Sequence, residues 1–578
     1  MTTRNAYPRP ELVRENWLNL CGEWEFEFDF GCSGRARGVQ KKEKLERTIQ
    51  VPFCPESKLS GIEYTDFINA CWYRKTVNLV PKAGERTLIN FEAAYYQTEV
   101  YVNGTFIGRH KGGYTPFSFD ITDALTAGDN SIAVCCEGDA RNMTQPSGKQ
   151  CERYHSYGCM YTRSTGIYAP VWIETVPALY VKSVKLDPDT DNSRLFCELA
   201  LSCQGEKSVT LTATLDGKTV GKSTVKTTAK IVKTTVELDT LSLWSIETPT
   251  LYDLIIEVAN ADSIDRVVSY FGMRTIEMDD KCLRINGKRV FQRLVLDQGY
   301  YPEGIYTAPT DDAFAKDIVL SQRIGFNGAR LHERVFERRF LYEADKRGYI
   351  VWGEYPNWGF DYANPANTHI YLHEWMEAMT RDYNHPALIG WCPFNETWDI
   401  KGKQQSDDML RIIYEQTKYF DPVRPCIDTS GNYHVVTDIY DIHDYNQSPE
   451  AFQRRYSAMT ETEVFENYGR RQRYGGQPYF ISEYGGIKWA KELENDREQS
   501  WGYGDAPKSI DEYVERFVGL TSVLMDTEKI CGLCYTQLYD VEQEQNGVYY
   551  YDRTPKFTEE TMDKLAAVLK RPAAIEKK

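Results

Sequence analysis

Near residue 276 the hydrophobic pattern of this chain changes period, and that change limits the folds open to it. Before it the pattern is β throughout. Trp24, Phe26 and Phe28 alternate with Glu25 and Glu27, as a half-buried strand requires. Asn103-Gly104 separates Val100-Tyr101-Val102 from Phe106-Ile107, and Asn-Gly is the preferred pair for a two-residue hairpin turn. After the change, short apolar runs alternate with stretches of helical spacing. Strands are expected at 290–297, 328–331, 349–353, 388–394, 425–427, 436–442, 478–482 and 530–537. Eight strands with helices between them, in about 300 residues, match a (β/α)8 TIM barrel.

A barrel of this kind places its chemistry at the carboxyl ends of its strands. The residues found there are Asp297, His332, Glu354, the pair Asn395 and Glu396, His443 with Tyr445, Glu483, and Tyr535 with Gln537. Polar, aromatic and acidic side chains of this mix suit a sugar pocket. Glu396 and Glu483 each end an apolar run. A strand-end acid is costly to bury without a task or a partner, so two of them suggest a paired-carboxylate site.

The β part divides by composition. Residues 1–179 are rich in aromatics and glycine turns, whereas 180–275 shift to Lys, Thr, Ser and Val, with Asp216-Gly217 turning a hairpin. Two β-sandwiches followed by a barrel over 276–578 is the expected division. The formal net charge of -16 argues against a nucleic-acid partner. No apolar run is long enough for a membrane span, and Met1 to Glu11 has no apolar core of an export signal. Fifteen scattered cysteines favour reduced thiols, and hence a cytoplasmic setting. Cys531-Gly-Leu-Cys534 has no second ligand pair beside it and reads as packing, not a metal site.

Three separated motifs carry a family resemblance. They are Tyr161-Thr-Arg-Ser-Thr-Gly-Ile-Tyr168-Ala-Pro-Val-Trp172, Asn384-His-Pro followed by Asn395-Glu396, and Ile481-Ser-Glu-Tyr-Gly485. In this order they resemble glycoside hydrolase family 2, which contains β-galactosidases, β-glucuronidases and β-mannosidases. The segment Leu243-Trp244-Ser-Ile-Glu-Thr-Pro-Thr-Leu-Tyr252 is similar to that family's spacer. The resemblance implies a jelly-roll sugar-binding domain, an immunoglobulin-like sandwich and a catalytic barrel. It assigns Glu483 as nucleophile and Glu396 as acid/base, the latter starting protonated because burial and Glu483 raise its pKa. Asn395 would bind the sugar 2-hydroxyl. Tyr445 would donate to the nucleophile, with Tyr440 a rival for that role. His332 and Glu354 would contact hydroxyls, although His332 sits one place early against the family's Arg-x-x-His-Tyr-Pro.

From the sandwich, Asp139, Arg141 and Lys149 are candidate sugar contacts, and Arg163 reads as a clamp between domains. Trp358, Trp391 and Trp398 are candidate stacking surfaces. Pro356 follows Glu354 where magnesium-binding relatives have Glu-x-His, so neither metal nor cofactor is expected. Val548 follows Asn546 where β-glucuronidases have Asn-x-Lys, which favours β-galactosides over uronides. The resulting expectation is a retaining exo-β-glycosidase acting on a carbohydrate, in a family where homo-oligomers are common. A β-galacturonide, β-glucuronide or arabinoside, or a carbohydrate-binding protein without turnover, are the alternatives.

Overall fold

The computed structural model describes residues 4–467, 474–490 and 500–577. The first unit stacks a four-stranded antiparallel sheet on a six-stranded one. Trp24, Phe26, Tyr73, Val100, Val134 and Ile173 interdigitate between them as its core. The turn at Asn103 and Gly104 has both residues at positive φ, 50° and 78°, as the sequence pair demands. The second unit packs a three-stranded sheet on a four-stranded one around Leu199, Leu211, Leu254 and Val267.

The barrel follows a small antiparallel meander, Ile276–Met278, Leu283–Ile285 and Lys288–Val290. Seven barrel strands form one parallel sheet: Gln292–Asp297, Gly328–Leu331, Ile350–Glu354, Leu388–Cys392, Tyr440–Asp444, Tyr479–Gly485 and Ile530–Thr536. The fifth position differs from expectation. Cys426 makes a single parallel bridge to Trp391, and regular pairing comes later, where Thr429–Ser430 meets Phe394–Asn395. Pro393, which has no N–H to give a ladder, breaks the fourth strand between Cys392 and Phe394. The sixth strand starts at Tyr440, not near 436, because the Asp428 carboxylate takes the backbone N–H groups of Val435 and Val436. Met562, Leu565, Ala566 and Leu569 are buried on the last helix, Glu559–Lys570.

The three units are joined by buried polar contacts. Arg338, opening a barrel helix, bonds Glu11 at 2.6 Å and also Glu92 of the first sandwich. Trp244 of the spacer donates to Asp345 O at 2.8 Å. Arg163 is not a clamp between domains. Its guanidinium bonds the carbonyls of Thr65, Cys151 and Arg153, all within its own sandwich. The neighbouring residues make the bridge instead: Thr162 N donates to the Glu542 carboxylate, and the Tyr161 hydroxyl to Glu544, both on the barrel. None of the fifteen cysteines is paired, and Cys531 and Cys534 are core residues.

Candidate active site

Glu396 and Glu483 share one site. Glu483 lies on the seventh strand just past Ser482, the extra residue of a bulge against the sixth strand, and that register places His443 directly opposite it. Glu396 follows the irregular end of the fourth strand at a positive φ of 46°, its N–H donating to Ser430 O at 2.9 Å. A glutamate in the left-handed region is strained backbone, and such strain gathers at functional sites. Carboxylate oxygens of both glutamates and a ring nitrogen of His443 all lie within 4.8 Å of one another.

The two acids are held by different partners. One Glu483 oxygen sits 3.0 Å from Arg330 Nη1, and the other accepts from the Tyr445 hydroxyl. Arg330 is buried, and it also bonds Glu354 at 2.7 Å, the Ser482 carbonyl at 2.9 Å and Asn395 Oδ1 at 3.1 Å. It is an unmovable cation at the floor of the pocket. Glu396 has no arginine. His443 Nδ1 lies 2.6 Å from Glu396 Oε1 and 3.3 Å from Glu483 Oε2, while Trp398 Nε1 donates to Glu396 Oε2 at 3.3 Å.

The protonation of Glu396 departs from expectation. Burial works to raise its pKa, but the hydrogen bond and charge of His443, helped by Lys149, hold it below the ordinary carboxylate value. Burial works to lower His443, and the charges of Glu483 and Glu396 bring it above its usual value. The proton therefore belongs to the Glu396–His443 pair and rests mainly on the imidazole. Beneath it, His443 Nε2 meets Ser430 Oγ at 3.1 Å, and Ser430 donates to Asp441 at 2.6 Å. Asp441 lies beside His434, which is raised to about 10: burial opposes its charge, but Asp428 and Asp441 outweigh that.

The remaining sequence candidates fall into two groups. Asn395 is fixed by its backbone, with N–H to Asn357 Oδ1 at 2.7 Å and carbonyl to Trp358 Nε1 at 3.2 Å, while its Nδ2 is buried without a partner. His332 is buried and neutral, its pKa pushed well below normal first by burial and then by Lys149. Its Nδ1 stands 3.3 Å from Glu354 Oε2 and 3.9 Å from Glu483 Oε1. Glu354 serves Arg330, and Gln537 holds Asn546 at 2.8 Å with its own Oε1 buried and unpartnered.

Six candidates are turned elsewhere. Tyr535 faces the outer helix Ile510–Asp526, where its hydroxyl meets that of Tyr513 at 3.2 Å, so it lies outside the pocket. Asp139 stays on the sandwich, bonded to Arg141 at 2.8 Å, and Arg141 stacks on Phe67. Asp297 bonds Gly299 N at 2.9 Å and the Tyr539 hydroxyl, and is pushed up to about 6 by burial and Asp317. Trp391 is core, donating to Asp421 at 2.8 Å. Tyr440 bonds Glu466 at 3.1 Å, so the contact to Glu483 falls to Tyr445.

Two residues that matter here were not singled out from the sequence. Arg330 lies within a strand, where a charged side chain is read as misplacement unless its partners are known. Glu333 has φ 52°, accepts from the N–H groups of Asn357 and Trp358 at 2.9 and 3.1 Å, and is pushed up to about 8 by burial. It occupies the place that follows His332 in the off-by-one motif.

Comparison with known proteins agrees with this architecture. Sequence profiles of glycosyl hydrolases family 2 match in order: the sugar-binding domain at 59–171, the middle domain at 179–274 and the TIM barrel domain at 276–570. The β-galactosidase BgaC of Bifidobacterium adolescentis is 25% identical over 84% of this chain, and the chain spans about half of that relative, 48%. A β-glucuronidase of Paenibacillus borealis is 24% identical, covering 83% of this chain and 84% of its own length. Among solved structures, a β-glucuronidase from an uncultured Clostridium superposes with a TM-score of 0.78 at 19% identity, over 98% of this chain and 100% of that one. At that identity the likeness carries the fold alone.

Proposed function

The chain belongs to glycosyl hydrolase family 2, and we propose that it works as a retaining exo-β-glycosidase. One observation carries this reading: carboxylate oxygens of Glu396 and Glu483 come within 4.8 Å of each other at the carboxyl ends of barrel strands. Retaining glycosidases hold their carboxyl groups about 5–5.5 Å apart, which leaves no room for the water an inverting enzyme needs.

In this reading Glu483 attacks the anomeric carbon while the proton of the Glu396–His443 pair passes through Glu396 to the leaving oxygen. The glycosyl–oxygen bond to the aglycone breaks as the bond to Glu483 forms. Water then enters on the same face, gives its proton back to Glu396 and releases the sugar. Arg330 and the Tyr445 hydroxyl hold the two Glu483 oxygens and aim the carboxylate. The unpartnered Nδ2 of Asn395 is free to donate to the 2-hydroxyl, a contact that strengthens in the transition state. The sandwich loop through Ser147 closes one wall by bonding Trp358 O, which supports cleavage at a chain end.

Two glycones fit this frame. Val548 supports a β-galactoside, and the relatives include both β-galactosidases and β-glucuronidases. A uronide is the second reading, supported by a cation in the pocket wall. The test of the shared mechanism is trapping with a 2-deoxy-2-fluoro glycoside that has a good leaving group. Mass spectrometry should find the sugar on the peptide containing Glu483, and Glu396→Ala should regain turnover with azide. A label on any other residue overturns the assignment.

A further inference from the structure

Among the described residues of the site, Lys149 is a cation without an anionic partner. Arg330 is bound to Glu354 and Glu483, Arg141 to Asp139, and Arg334 to the carbonyls of Gly299 and Tyr306. Lys149 is only 6% exposed, and its Nζ rests 3.8 Å from the centre of the Trp358 ring. The ring's other tie is its Nε1, bonded to the carbonyl of Asn395 beside the acid/base. Lys149 is thus buried over the wall of the sugar pocket and next to the group that reacts.

Its backbone leaves it little freedom. The N–H groups of Ser147 and Gly148 donate to Trp358 O at 3.1 and 3.0 Å, and the Lys149 carbonyl accepts from Tyr161 N at 2.8 Å. Gly148 is at φ 58°, and a Cβ there would lie 2.6 Å from Glu333 O, so the loop is pressed against the barrel. Among the described residues its ammonium meets only this ring, and a cation–π contact restores less than the hydration lost on burial. The nearby acids act on it only from a distance: the oxygens of Glu544 are taken by Asn546 and Tyr161, and those of Glu396 by His443 and Trp398. Burial disfavours charge on Lys149, but the fields of the surrounding acids hold it charged.

We propose that Lys149, delivered from the sandwich, is the specificity residue that binds an anionic group of the glycone, the carboxylate of a β-linked hexuronide. This rests on the glycosidase reading and names its substrate class. Lys149 then supplies the charge that Val548 does not, from another domain and another side of the pocket.

The experiment compares kcat/KM for p-nitrophenyl β-glucuronide and β-galacturonide with the matching β-glucoside and β-galactoside, in wild type, Lys149→Met and Lys149→Arg. Calorimetry of glucuronate, galacturonate, glucose and galactose binding to Glu483→Gln runs in parallel. Wild type should prefer a uronide over its neutral partner by about tenfold or more. Lys149→Met should erase that ratio, lowering the uronide far more than its neutral partner, and Lys149→Arg should keep part of it. If no glycoside is cleaved but Glu483→Gln binds a uronate and loses it on adding Lys149→Met, the anion site stands and the glycosidase reading falls. Cleavage of a neutral sugar in preference to its uronide, with Lys149→Met lowering both alike, overturns the proposal and leaves the glycosidase reading intact.

Discussion

Glu483 and Glu396 occupy opposite walls of one pocket and are built in contrary ways. Glu483 lies within a central strand, beside its bulge, its side chain 4% exposed, and is gripped by a guanidinium that cannot lose its proton. Glu396 follows a broken strand at positive φ, its side chain 14% exposed, and leans on an imidazole that can. A nucleophile must be aimed the same way each time it attacks, and a permanently charged partner holds it there. An acid/base must give up a proton and take it back, and a titratable neighbour lets it do so.

The largest effect should come from the permanent side. Glu483→Gln is expected to lower turnover by about 10⁴-fold or more on every substrate, as the loss of a nucleophile does. Stopped-flow bursts on activated and poor leaving groups check this. If activated substrates were spared, the contrast between the two walls would be reversed. Tyr445→Phe removes a hydrogen bond to a charged group and should cost about 10–100-fold in kcat, at all pH values alike. A loss that grew with pH would show the phenol acting as an acid.

His443→Gln sharpens the contrast through the pH profile. In the wild type Glu396 is held low by His443, and His443 is held above 6.5 by the acids, so the pair's two ionisations are pushed apart. Without the imidazole the upper ionisation is gone, and Glu396 loses the contact that most lowers it, so its pKa rises. The alkaline limb of kcat against pH should therefore move down to the ionisation of Glu396 alone, with about a tenfold loss at the wild-type optimum. An unmoved limb would make His443 a spacer. The smallest change is expected from Trp398→Phe. It deletes a 3.3 Å contact to Glu396 at a residue 37% exposed, so activity should stay within about threefold.

The carboxylates were legible because each ends an apolar run, and the run's length fixes where the barrel opens. The barrel itself was legible for the same reason, apart from its fifth strand. There Pro425, Pro393 and the side-chain hydrogen bonds of Asp428 replace the ladder, and no hydrophobic period marks Thr429–Ser430. Arg330 escaped notice because its partners Glu354, Asn395 and Glu483 lie up to 153 residues away in sequence. The polar loop from 139 to 150 could be picked out by composition, but not which of its charges would turn inward. Asp139 and Arg141 satisfy each other, and that pairing leaves Lys149 to reach the barrel. The lowered pKa of Glu396 could not be read either, since it depends on the contact with His443, 47 residues further along the chain.

Two backbone N–H groups on one carbonyl, Ser147 and Gly148 on Trp358, fasten the sandwich loop to the barrel. Backbone bonds of this sort do not depend on side-chain identity. The loop can therefore exchange the residue it presents at position 149 while its anchorage stays the same. Selectivity for the sugar can thus be altered from an accessory domain, at a position whose charge is also felt by Glu396.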